Sequence, residues 1–486
     1  MHDLEDNELR AARYDGSVTA DAVRALLSGS GDLQSRALRV GLTSCVAVTV
    51  LWIDGSACCE QLAEALLRPL SDPVRLGDVT CSREAERRIR NGAVWAGAVQ
   101  RETEPEAVAQ ALSAGFAAVV FDATRIALCF EVKAPIGRSV AEAQTEKSVK
   151  GARDAFVETL RVNTALIRRR LTTPRLRLQE RAIGEKSETR VSLFYIEGAA
   201  PPAAVEAVTH RLQTLDPKAI LGIGDLEPQL VHGARTIFPL LEHTERPDKF
   251  AAALLRGRVG LIADGMPVGF LLPTTLAGLM RTPEDRSGPA PLSSLLAVLR
   301  YLAALISVLL PALYVAAVLW HREMIPMRLL QSFIRAEADV PFSPWVVMLG
   351  LLVSFELLQE AGLRLPVAIG QTVSIIGALL IGEAAVQAKL ASPIAIVIVA
   401  VAGISGYNLP SQELGGTVRA LRLLYVIPAA LSGLLGLACA AAATVWHLAT
   451  LESLGTAYLY PFADSDGGLR RTMLFRARGK ESEDGP

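Results

Sequence analysis

The side chains of this chain that could do chemistry are arginines and carboxylates, and they occur in three places. The first is the run Arg168, Arg169 and Arg170, which ends a segment with apolar residues at helical spacing. Guanidinium groups bind carboxylates and phosphates, so the run could hold an anion or lipid headgroups. A solvated helix end or an interface with another subunit is the commoner use of such a run. We therefore take these three arginines, together with Arg153, as candidate residues of a cytosolic interface.

The second place is an apolar stretch that contains Glu356, Glu360 and Arg364 at positions i, i+4 and i+8. This spacing puts the three side chains along one face of a helix. They could border the mouth of a pore or form an ion pair between subunits, and a satisfied cluster at a helix end is the equal alternative. The third place is Glu383, a lone carboxylate among apolar and small residues.

No catalytic or metal-binding constellation is recognisable in the sequence. The segment Gly222-Ile223-Gly224-Asp225 lacks the third glycine of a dinucleotide-binding loop, and we interpret it as a turn between a helix and a strand. The six histidines show no ligand spacing, so neither a metal site nor a catalytic triad is predicted. A net charge of −1 does not attract polyanions, which argues against a nucleic-acid partner. We expect no cofactor, and an enzyme is the least supported class.

The charges of the chain nearly disappear after about residue 296. Only fifteen of the 49 basic and 50 acidic residues lie between 296 and 450. A helix needs about 20 mostly apolar residues to cross a bilayer. Several uncharged runs are long enough, namely 301–320, 340–355, 365–382, 390–412 and 423–451. The sequence therefore predicts a soluble domain of about 290 residues followed by an all-α polytopic membrane domain.

Alternating strand and helix patterns indicate an α/β fold of two subdomains for the soluble part. In the first we expect strands at 44–53, 117–121 and 125–133 and helices at 60–70 and 105–114. In the second we expect a helix over 151–171, another over 202–215, and the strand pairs 176–184 with 189–198 and 258–265 with 267–273. The predicted divisions are a polar N-terminal segment (1–36), a first subdomain (37–145), a second subdomain (146–290), a transmembrane domain (291–455) and a polar, basic tail (456–486).

The first residues carry neither the basic segment nor the apolar core of a signal peptide, so we expect the soluble domain to remain in the cytosol. Membrane-spanning segments are predicted at 301–320, 344–362, 366–388, 390–408 and 422–448. Five crossings would place the basic tail outside, against the positive-inside tendency. One segment could then be re-entrant or interfacial, and 321–340 is a candidate for an interfacial helix. We expect four or five true spans.

The segment 366–388 has the composition of a pore-lining helix, since apolar residues are mixed with small and polar ones. The candidate residues for a pore or for helix packing are Val367, Ile369, Thr372, Val373, Ser374, Ile376, Gly377, Leu380 and Glu383. Packing through small side chains is the alternative for any single glycine. A carboxylate at this depth should face water, a partner or a neighbouring subunit, because its burial in lipid is costly.

Several long segments resemble the A subunits of GerA-type spore germination receptors. The resemblance covers about residues 40–465, and the matching stretches are KGARDAF (150–156), LRVNTALIRRRL (160–171), TERPDKFAAALLRGRVGLIADGMP (244–267), LLPALYVA (309–316), HREMIPMRLL (321–330), FELLQEAGLRLPVAIGQTVSIIGALLIGEAAVQAKLASP (355–393) and GTAYLYPF (455–462). The chain departs from the family pattern at 151–154, where GARD stands for GPRE, and at Glu383, where glutamine is usual. A sister branch, the accessory protein encoded with the spore core-solute channel, shares much of this pattern.

The resemblance implies a cytosolic two-part α/β domain ahead of a membrane domain in the inner membrane of the spore. It also implies a homo-oligomer, a pentamer, around a cation-conducting pore, with a permease-like B subunit and a lipoprotein C subunit as partners. Nutrient binding is assigned mainly to the B subunit. The alternative hypothesis is a non-conducting membrane anchor that assembles the receptor subunits. A solute transporter is less favoured, because no pair of broken helices stands in two matching halves.

Overall fold

The computed structural model describes residues 16–42, 46–94, 97, 99–133, 152–214, 219–220, 222–231, 236–282, 285, 289–364 and 382–462. These residues form two compact units. The first contains the described residues up to 231 and Leu241–Pro273. The second contains 236–240 and the described residues from Thr274 onwards. Each unit is described by itself.

The first unit contains two five-stranded sheets in which all neighbouring strands are antiparallel. The first sheet has the order β1-β2-β4-β5-β3. Its elements are α1 (Ala20–Leu26), β1 (Leu33–Val40), β2 (Val46–Ile53), α2 (Cys59–Gln61, Leu62–Leu67 and Arg68–Ser71), α3 (Pro73–Leu76), α4 (Ser82–Arg88, continued by Ile89–Ala93), β3 (Val99–Glu102), α5 (Pro105–Ser113), β4 (Phe116–Phe121) and β5 (Ile126–Glu131).

Strand β4 is apolar throughout, and β5 is apolar up to the exposed Glu131 at its end, because helices cover both faces of the sheet. Successive side chains of a strand point to opposite faces. Val119 and Phe121 accordingly lie in the hydrophobic core that includes Leu66. Ala118 and Val120 lie in the separate core on the other face, with residues of α1 and α5. The uninterrupted run AAVVF is therefore a central strand buried on both sides.

The second sheet has the order β6-β7-β9-β10-β8 and carries its own core. Its elements are α6 (Leu160–Arg170), β6 (Leu176–Ile183), β7 (Thr189–Ile196), α7 (Pro202–Thr214), α8 (Ile223–Leu230), β8 (Glu242–Thr244), α9 (Pro247–Leu254), β9 (Val259–Ala263) and β10 (Gly269–Leu272). The ring of Phe250 occupies the space above Gly260 and Gly269, where an added Cβ would lie 2.2 Å and 2.6 Å from the ring. Both glycines are thus required for α9 to pack on the strands.

The second unit is helical. Its elements are α10 (Leu276–Leu279), α11 (Ala290–Leu319), a 3₁₀ turn (Arg322–Met324), α12 (Met327–Glu337), α13 (Pro344–Arg364), α14 (Pro393–Gly406), α15 (Gln412–Thr450), β11 (Glu452–Ser453) and β12 (Thr456–Ala457). Three segments among the described residues are long and apolar enough to cross a membrane, namely Pro291–Leu319, Pro344–Gly362 and Gln412–Thr450. A shorter apolar helix covers Pro393–Gly406.

Most predicted elements of the soluble part are confirmed, and two predictions are wrong. The strand pairs and the helices near 60–70, 105–114 and 202–215 lie where the sequence places them. The segment 1–36 is not simply a polar extension, because α1 packs in a core and β1 begins at Leu33. The helix expected over 151–171 begins only at Leu160. Phe156 still packs in the core, so its apolar side chain indicated a buried position and not a position on the face of a helix.

Candidate functional site

The longest apolar element, α15, is a hairpin of two helical arms. The backbone leaves the helical conformation at Gly433, with φ 62° and ψ −136°. The hydroxyl group of Tyr425 donates to Oγ1 of Thr444 at 2.7 Å. The two residues are 19 positions apart, a separation of about 28 Å in a straight helix. The arms 412–432 and 434–450 are therefore antiparallel, and the single span predicted at 422–448 is wrong.

Two glycines allow the arms to meet closely. A Cβ at Gly436 would lie 2.0 Å from the carbonyl oxygen of Pro428 on the other arm. At Gly433 the positive φ favours glycine, and a Cβ there would lie 2.8 Å from Cβ of Trp320. The indole nitrogen of Trp320 donates to the carbonyl oxygen of Ala430 at 2.9 Å. The turn of the hairpin thus docks on the C-terminal end of α11.

The open end of the hairpin holds a short non-helical segment, residues 236–240, which we call the strap. Thr417 on the first arm donates from Oγ1 to the carbonyl oxygen of Ile237 at 2.6 Å. On the second arm, Nε2 of His447 lies 2.9 Å from Oγ1 of Thr236. The ring of Phe238, which is buried, stands 6.0 Å from the His447 ring. Both arms therefore contact the strap.

The residues that follow the hairpin also hold the strap in place. Ser453 donates from Oγ to the carbonyl oxygen of Leu240 at 3.0 Å and accepts from the backbone nitrogen of Thr274 at 3.0 Å. Tyr458 is fully buried, its ring is 6.2 Å from that of Phe238, and its carbonyl oxygen accepts from the backbone nitrogen of Leu276 at 2.9 Å. The strap is thus fixed by both hairpin arms and by the segment after them.

A charged cluster lies between α13 and α15. Arg422 is 1% exposed and forms an ion pair with Glu356. Its guanidinium group lies 5.7 Å from the centre of the Phe355 ring, a cation–π distance. Arg419 is 3.7 Å from the second oxygen of Glu356 and 3.2 Å from Oε1 of Gln359. Two guanidinium groups therefore share one carboxylate within an apolar helical bundle.

This cluster includes one of the predicted site residues. Glu356 is paired within its own chain, as the alternative of a satisfied charge cluster expects, and a role at a pore mouth or between subunits stays a prediction. Glu360 is exposed on the same helix. Arg364 ends α13, and its side chain lies outside the described residues. The partners Arg419 and Arg422 were missed, although an arginine pair between the two uncharged runs 390–412 and 423–451 is the signal that could have found them.

The predicted pore residues are described only in part. Glu383 lies in a helical turn at 382–387, is exposed, and accepts a hydrogen bond from Nε2 of Gln387 at 3.0 Å. The others lie outside the described residues, namely Val367, Ile369, Thr372, Val373, Ser374, Ile376, Gly377 and Leu380.

Two arginines of the run in α6 are engaged within their own chain, and an interface role for the exposed ones stays a prediction. Arg168 is 1% exposed, and its guanidinium group grips the carboxylate of Asp32 in a bidentate pair, at 3.0 Å and 2.9 Å. Arg170 pairs with Asp154, at 2.6 Å from Oδ2. Arg169 and Arg153 are exposed. A solvated surface therefore remains for only two of the four predicted residues.

The buried pair joins the two subdomains of the first unit. Asp32 immediately precedes β1, and Arg168 also donates to the carbonyl oxygen of Leu176, where β6 begins, at 3.1 Å. Beside it, the backbone nitrogen of Gly31 donates to the carbonyl oxygen of Leu178 at 2.7 Å. Breaking a buried pair of this kind costs about 3–5 kcal/mol, because one charge is left without its partner.

A second buried ion cluster stands at the start of β8, two residues after the strap. Glu242 is 3% exposed and pairs with Arg258 and with Lys249, whose Nζ lies 3.1 Å away. Burial acts to raise the pKa of Glu242, but the two cations outweigh it and lower that pKa to about 2. Glu242 is therefore ionised at neutral pH.

The described residues include no group of three or more His, Cys, Asp and Glu side chains that could hold a metal ion. Their buried charged clusters pair arginine or lysine with carboxylate. The pair of Arg422 and Glu356 places such charges inside an apolar bundle.

Comparisons with known proteins agree on one family. The family model described as Bacillus/Clostridium GerA spore germination protein matches residues 21–486. From Bacillus subtilis, "Uncharacterized membrane protein YfkQ" is 34% identical over 94% of this chain and 88% of its own length. "Spore germination protein KA" of the same organism is 32% identical over 93% and 82%, and "Spore germination protein B1" 33% identical over 87% and 87%. Among solved structures, one match is the crystal structure of the N-terminal domain of the A subunit of the Bacillus megaterium spore germinant receptor GerK3. Its sequence is 25% identical, the TM-score is 0.41, and the match covers 53% of this chain and 95% of that one. The chain belongs to the GerA family of spore germination proteins.

Proposed function

We propose that the chain is the membrane subunit of a nutrient-sensing spore germination receptor and that, as an oligomer, it forms a ligand-gated cation channel in the inner spore membrane. Opening of the channel would trigger exit from dormancy. By the family resemblance, the oligomer is a pentamer that works with a permease-like B subunit and a lipoprotein C subunit. Relatives that are 32% and 33% identical carry the name spore germination protein.

The observation that carries the proposal is the depth of the charged cluster. Glu356 lies 12 residues into α13, and Arg422 lies 10 residues into α15. At 1.5 Å per residue, these positions are about 18 Å and 15 Å from the helix starts. In a hydrocarbon core about 30 Å thick, the pair would lie near the centre. Ionisable groups at this depth are costly and mark ion paths or switching elements, whereas a passive anchor needs none.

The contacts of the second unit support a defined topology. Gln359 contacts Arg419, so the C-terminal half of α13 lies beside the start of α15. Nζ of Lys389 lies 2.8 Å from Asp339, so residue 389 lies beside the start of α13. The crossing that the sequence predicts at 366–388 is kept in this proposal. Together with α11, α13, α14 and the two hairpin arms, it makes six proposed crossings.

An even number of crossings returns the tail to the side of the soluble domain. The basic tail residues, Arg470, Arg471, Arg476, Arg478 and Lys480, would then lie in the cytosol, as the positive-inside tendency requires. In this proposal the number of crossings no longer conflicts with the positive-inside tendency, because the uncharged run 423–451 covers both arms of the hairpin and not one span.

The strap supplies a route by which the soluble domain can act on the membrane helices. It runs directly into β8, which belongs to the second sheet, and both hairpin arms contact it. A movement of β8 would therefore pull on both arms at once. The competing function, a non-conducting scaffold, predicts that the same contacts only hold the protein together.

Cation release from spores tests conduction. Shrinking a constricting side chain of the proposed pore, as in Val373→Ala or Ile376→Ala, should leak monovalent cations without a germinant, because hydrophobic constrictions close pores by excluding water. Glu383→Gln should change the cation preference. Val353→Ala is the matched control, because Val353 is 46% exposed on the outside of α13. Unchanged cation flux at every position of 366–388, in variants of normal abundance, would favour the scaffold.

A further inference from the structure

A cavity of about 280 Å³ lies at one end of the helical bundle, where α12 meets the ends of α11, α13 and α14. Trp320, just after α11, and Trp345, near the start of α13, are 54% and 40% exposed. Exposed tryptophans are typical of the depth of lipid headgroups, because the indole ring is apolar and its N–H group is polar. This end of the bundle therefore has the side chains of a surface that meets lipid headgroups.

The lining of the cavity has an apolar part and a charged part. The apolar part includes Val318 and Val347, which belong to two of the helices that are long and apolar enough to cross a membrane. The charged part consists of Arg322 and Glu337, which belong to the segment between those two helices. A ligand with an apolar chain and a charged end therefore matches this lining.

The two charged side chains form no ion pair with each other. Arg322 donates from Nε to the carbonyl oxygen of Val318 at 2.7 Å, and its terminal nitrogens have no partner among the described residues. Glu337 accepts from the hydroxyl group of Tyr314 at 2.8 Å. Burial raises the pKa of Glu337, so a further cation beside it would favour the ionised carboxylate. Each of the two groups can thus bind a charge of the opposite sign.

We propose that this cavity binds a membrane phospholipid whose headgroup joins a phosphate to a primary ammonium group, as in phosphatidylethanolamine. The phosphate accepts hydrogen bonds from the terminal nitrogens of Arg322, because the guanidinium group matches the geometry of phosphate oxygens. The ammonium group donates to the carboxylate of Glu337. An acyl chain of the lipid lies against the apolar walls, where it removes apolar surface from water.

Charge complementarity favours this lipid over the other common headgroups. A phosphatidylglycerol headgroup would pair with Arg322 but would leave the desolvated Glu337 without a cation, which is unfavourable. A phosphatidylcholine headgroup carries both charges, but its quaternary nitrogen has no N–H group to donate. The proposal requires only that the chain is embedded in a membrane, so a channel and a non-conducting scaffold could both carry the site.

Native mass spectrometry of the full chain in detergent tests the proposal, with the dioleoyl forms of phosphatidylethanolamine, phosphatidylcholine and phosphatidylglycerol as competing probes. We expect phosphatidylethanolamine to bind at least about tenfold more tightly than either of the others, because only its headgroup makes charged hydrogen bonds to both side chains. Glycerophosphoethanolamine has the same headgroup without acyl chains. It should not displace the lipid, because it cannot fill the apolar part of the cavity.

Two variants separate the two charges. Glu337→Gln should abolish the preference for phosphatidylethanolamine and keep binding through the phosphate, whereas Arg322→Gln should weaken the binding of all three lipids. Arg328→Gln and Glu323→Gln are the matched controls, because both residues are exposed and neither lines the cavity. Both controls should keep the preference of the unchanged chain.

Equal binding of the three lipids to the unchanged chain would overturn the proposal, and so would displacement of the lipid by glycerophosphoethanolamine. These two outcomes need no variant, so they decide the matter even if a substitution prevents folding. A preference for phosphatidylethanolamine that persists in Glu337→Gln would also overturn it. Cation release is not part of this readout, so failure here leaves the proposed channel untouched.

Discussion

The hydroxyl groups of Tyr425 and Thr444 are 2.7 Å apart, although 19 positions separate the two residues in one apolar element. A straight helix would hold them about 28 Å apart. The contact therefore proves a reversal of the chain between them, and Gly433 is where the backbone leaves helical geometry. Two arms of about 20 residues replace the one long span that composition suggests.

Closure of the hairpin depends on Gly436. In Gly436→Ala the new methyl group would overlap the Pro428 carbonyl oxygen and push the arms apart. We expect a loss of about 1–3 kcal/mol of stability, the usual effect of overpacking. Thermal unfolding of the full chain in detergent would report it as a lower Tm. Gly415→Ala is the control, because a Cβ there meets nothing within 4 Å, and it should be neutral or slightly stabilising. Equal Tm values for both variants would contradict this role of Gly436.

The buried cluster should respond unequally to loss of its members. Glu356→Gln leaves Arg419 and Arg422 facing each other, so we expect a loss of about 3–5 kcal/mol. Arg422→Met should cost less, because Arg419 remains near the carboxylate. The double variant should recover part of the loss, since it removes Arg422, the more deeply buried of the two arginines left without the carboxylate.

Denaturant unfolding and protein abundance would measure these differences. Glu360→Gln serves as the control, because Glu360 is exposed on the same helix and exposed pairs contribute about 0–1 kcal/mol. A double variant that is less stable than Glu356→Gln alone would show that the cluster is not an isolated ion pair.

Side-chain patterns predicted the sheets well and the long-range pairs not at all. Strand β2 was predictable because its β-branched residues end at a turn, and the β9–β10 hairpin was predictable from Asp264-Gly265. Asp32 and Arg168 are 136 positions apart, so no local pattern joins them. Gly433 sits in an apolar run that contains one other glycine, Gly436, and nothing in its neighbours marks it as the turn. Its role depends on Trp320, which arrives from a distant helix.

Accessibility of cysteines to a membrane-impermeant maleimide would test the proposed topology. Cys59 and Cys81 of the soluble domain are exposed, and Glu452→Cys adds an exposed thiol after the hairpin. In sealed right-side-out vesicles we expect none of the three to react until detergent is added. Protease added outside should likewise leave the soluble domain intact. Reaction at position 452 with Cys59 still protected would place the two ends on opposite sides and exclude six crossings.

Glu242 should make the stability of its cluster depend on pH. Its pKa is lowered from 4.5 to about 2, so its stabilising effect is complete above pH 4.5 and is lost as the pH falls towards 2. The shift corresponds to about 3 kcal/mol. Unfolding of the full chain, compared with Glu242→Gln, should show a stability difference that is constant near neutral pH and shrinks below pH 4.5. A stability difference that stays constant down to pH 2 would mean that the two cations do not lower the pKa of Glu242 as described.

The strap contact of Thr417 should decide how firmly the soluble domain is linked to the hairpin. Thr417→Val keeps the shape of the side chain but removes the donor to the Ile237 carbonyl oxygen, which should cost about 1–3 kcal/mol locally. Hydrogen exchange of residues 236–240 should become faster, and germinant-triggered cation release from spores should become slower, at normal protein abundance. Thr450→Val is the control, because the exposed Thr450 bonds only within its own helix turn. If exchange in the strap rises while cation release keeps its normal rate, the strap anchors the domain without transmitting the signal.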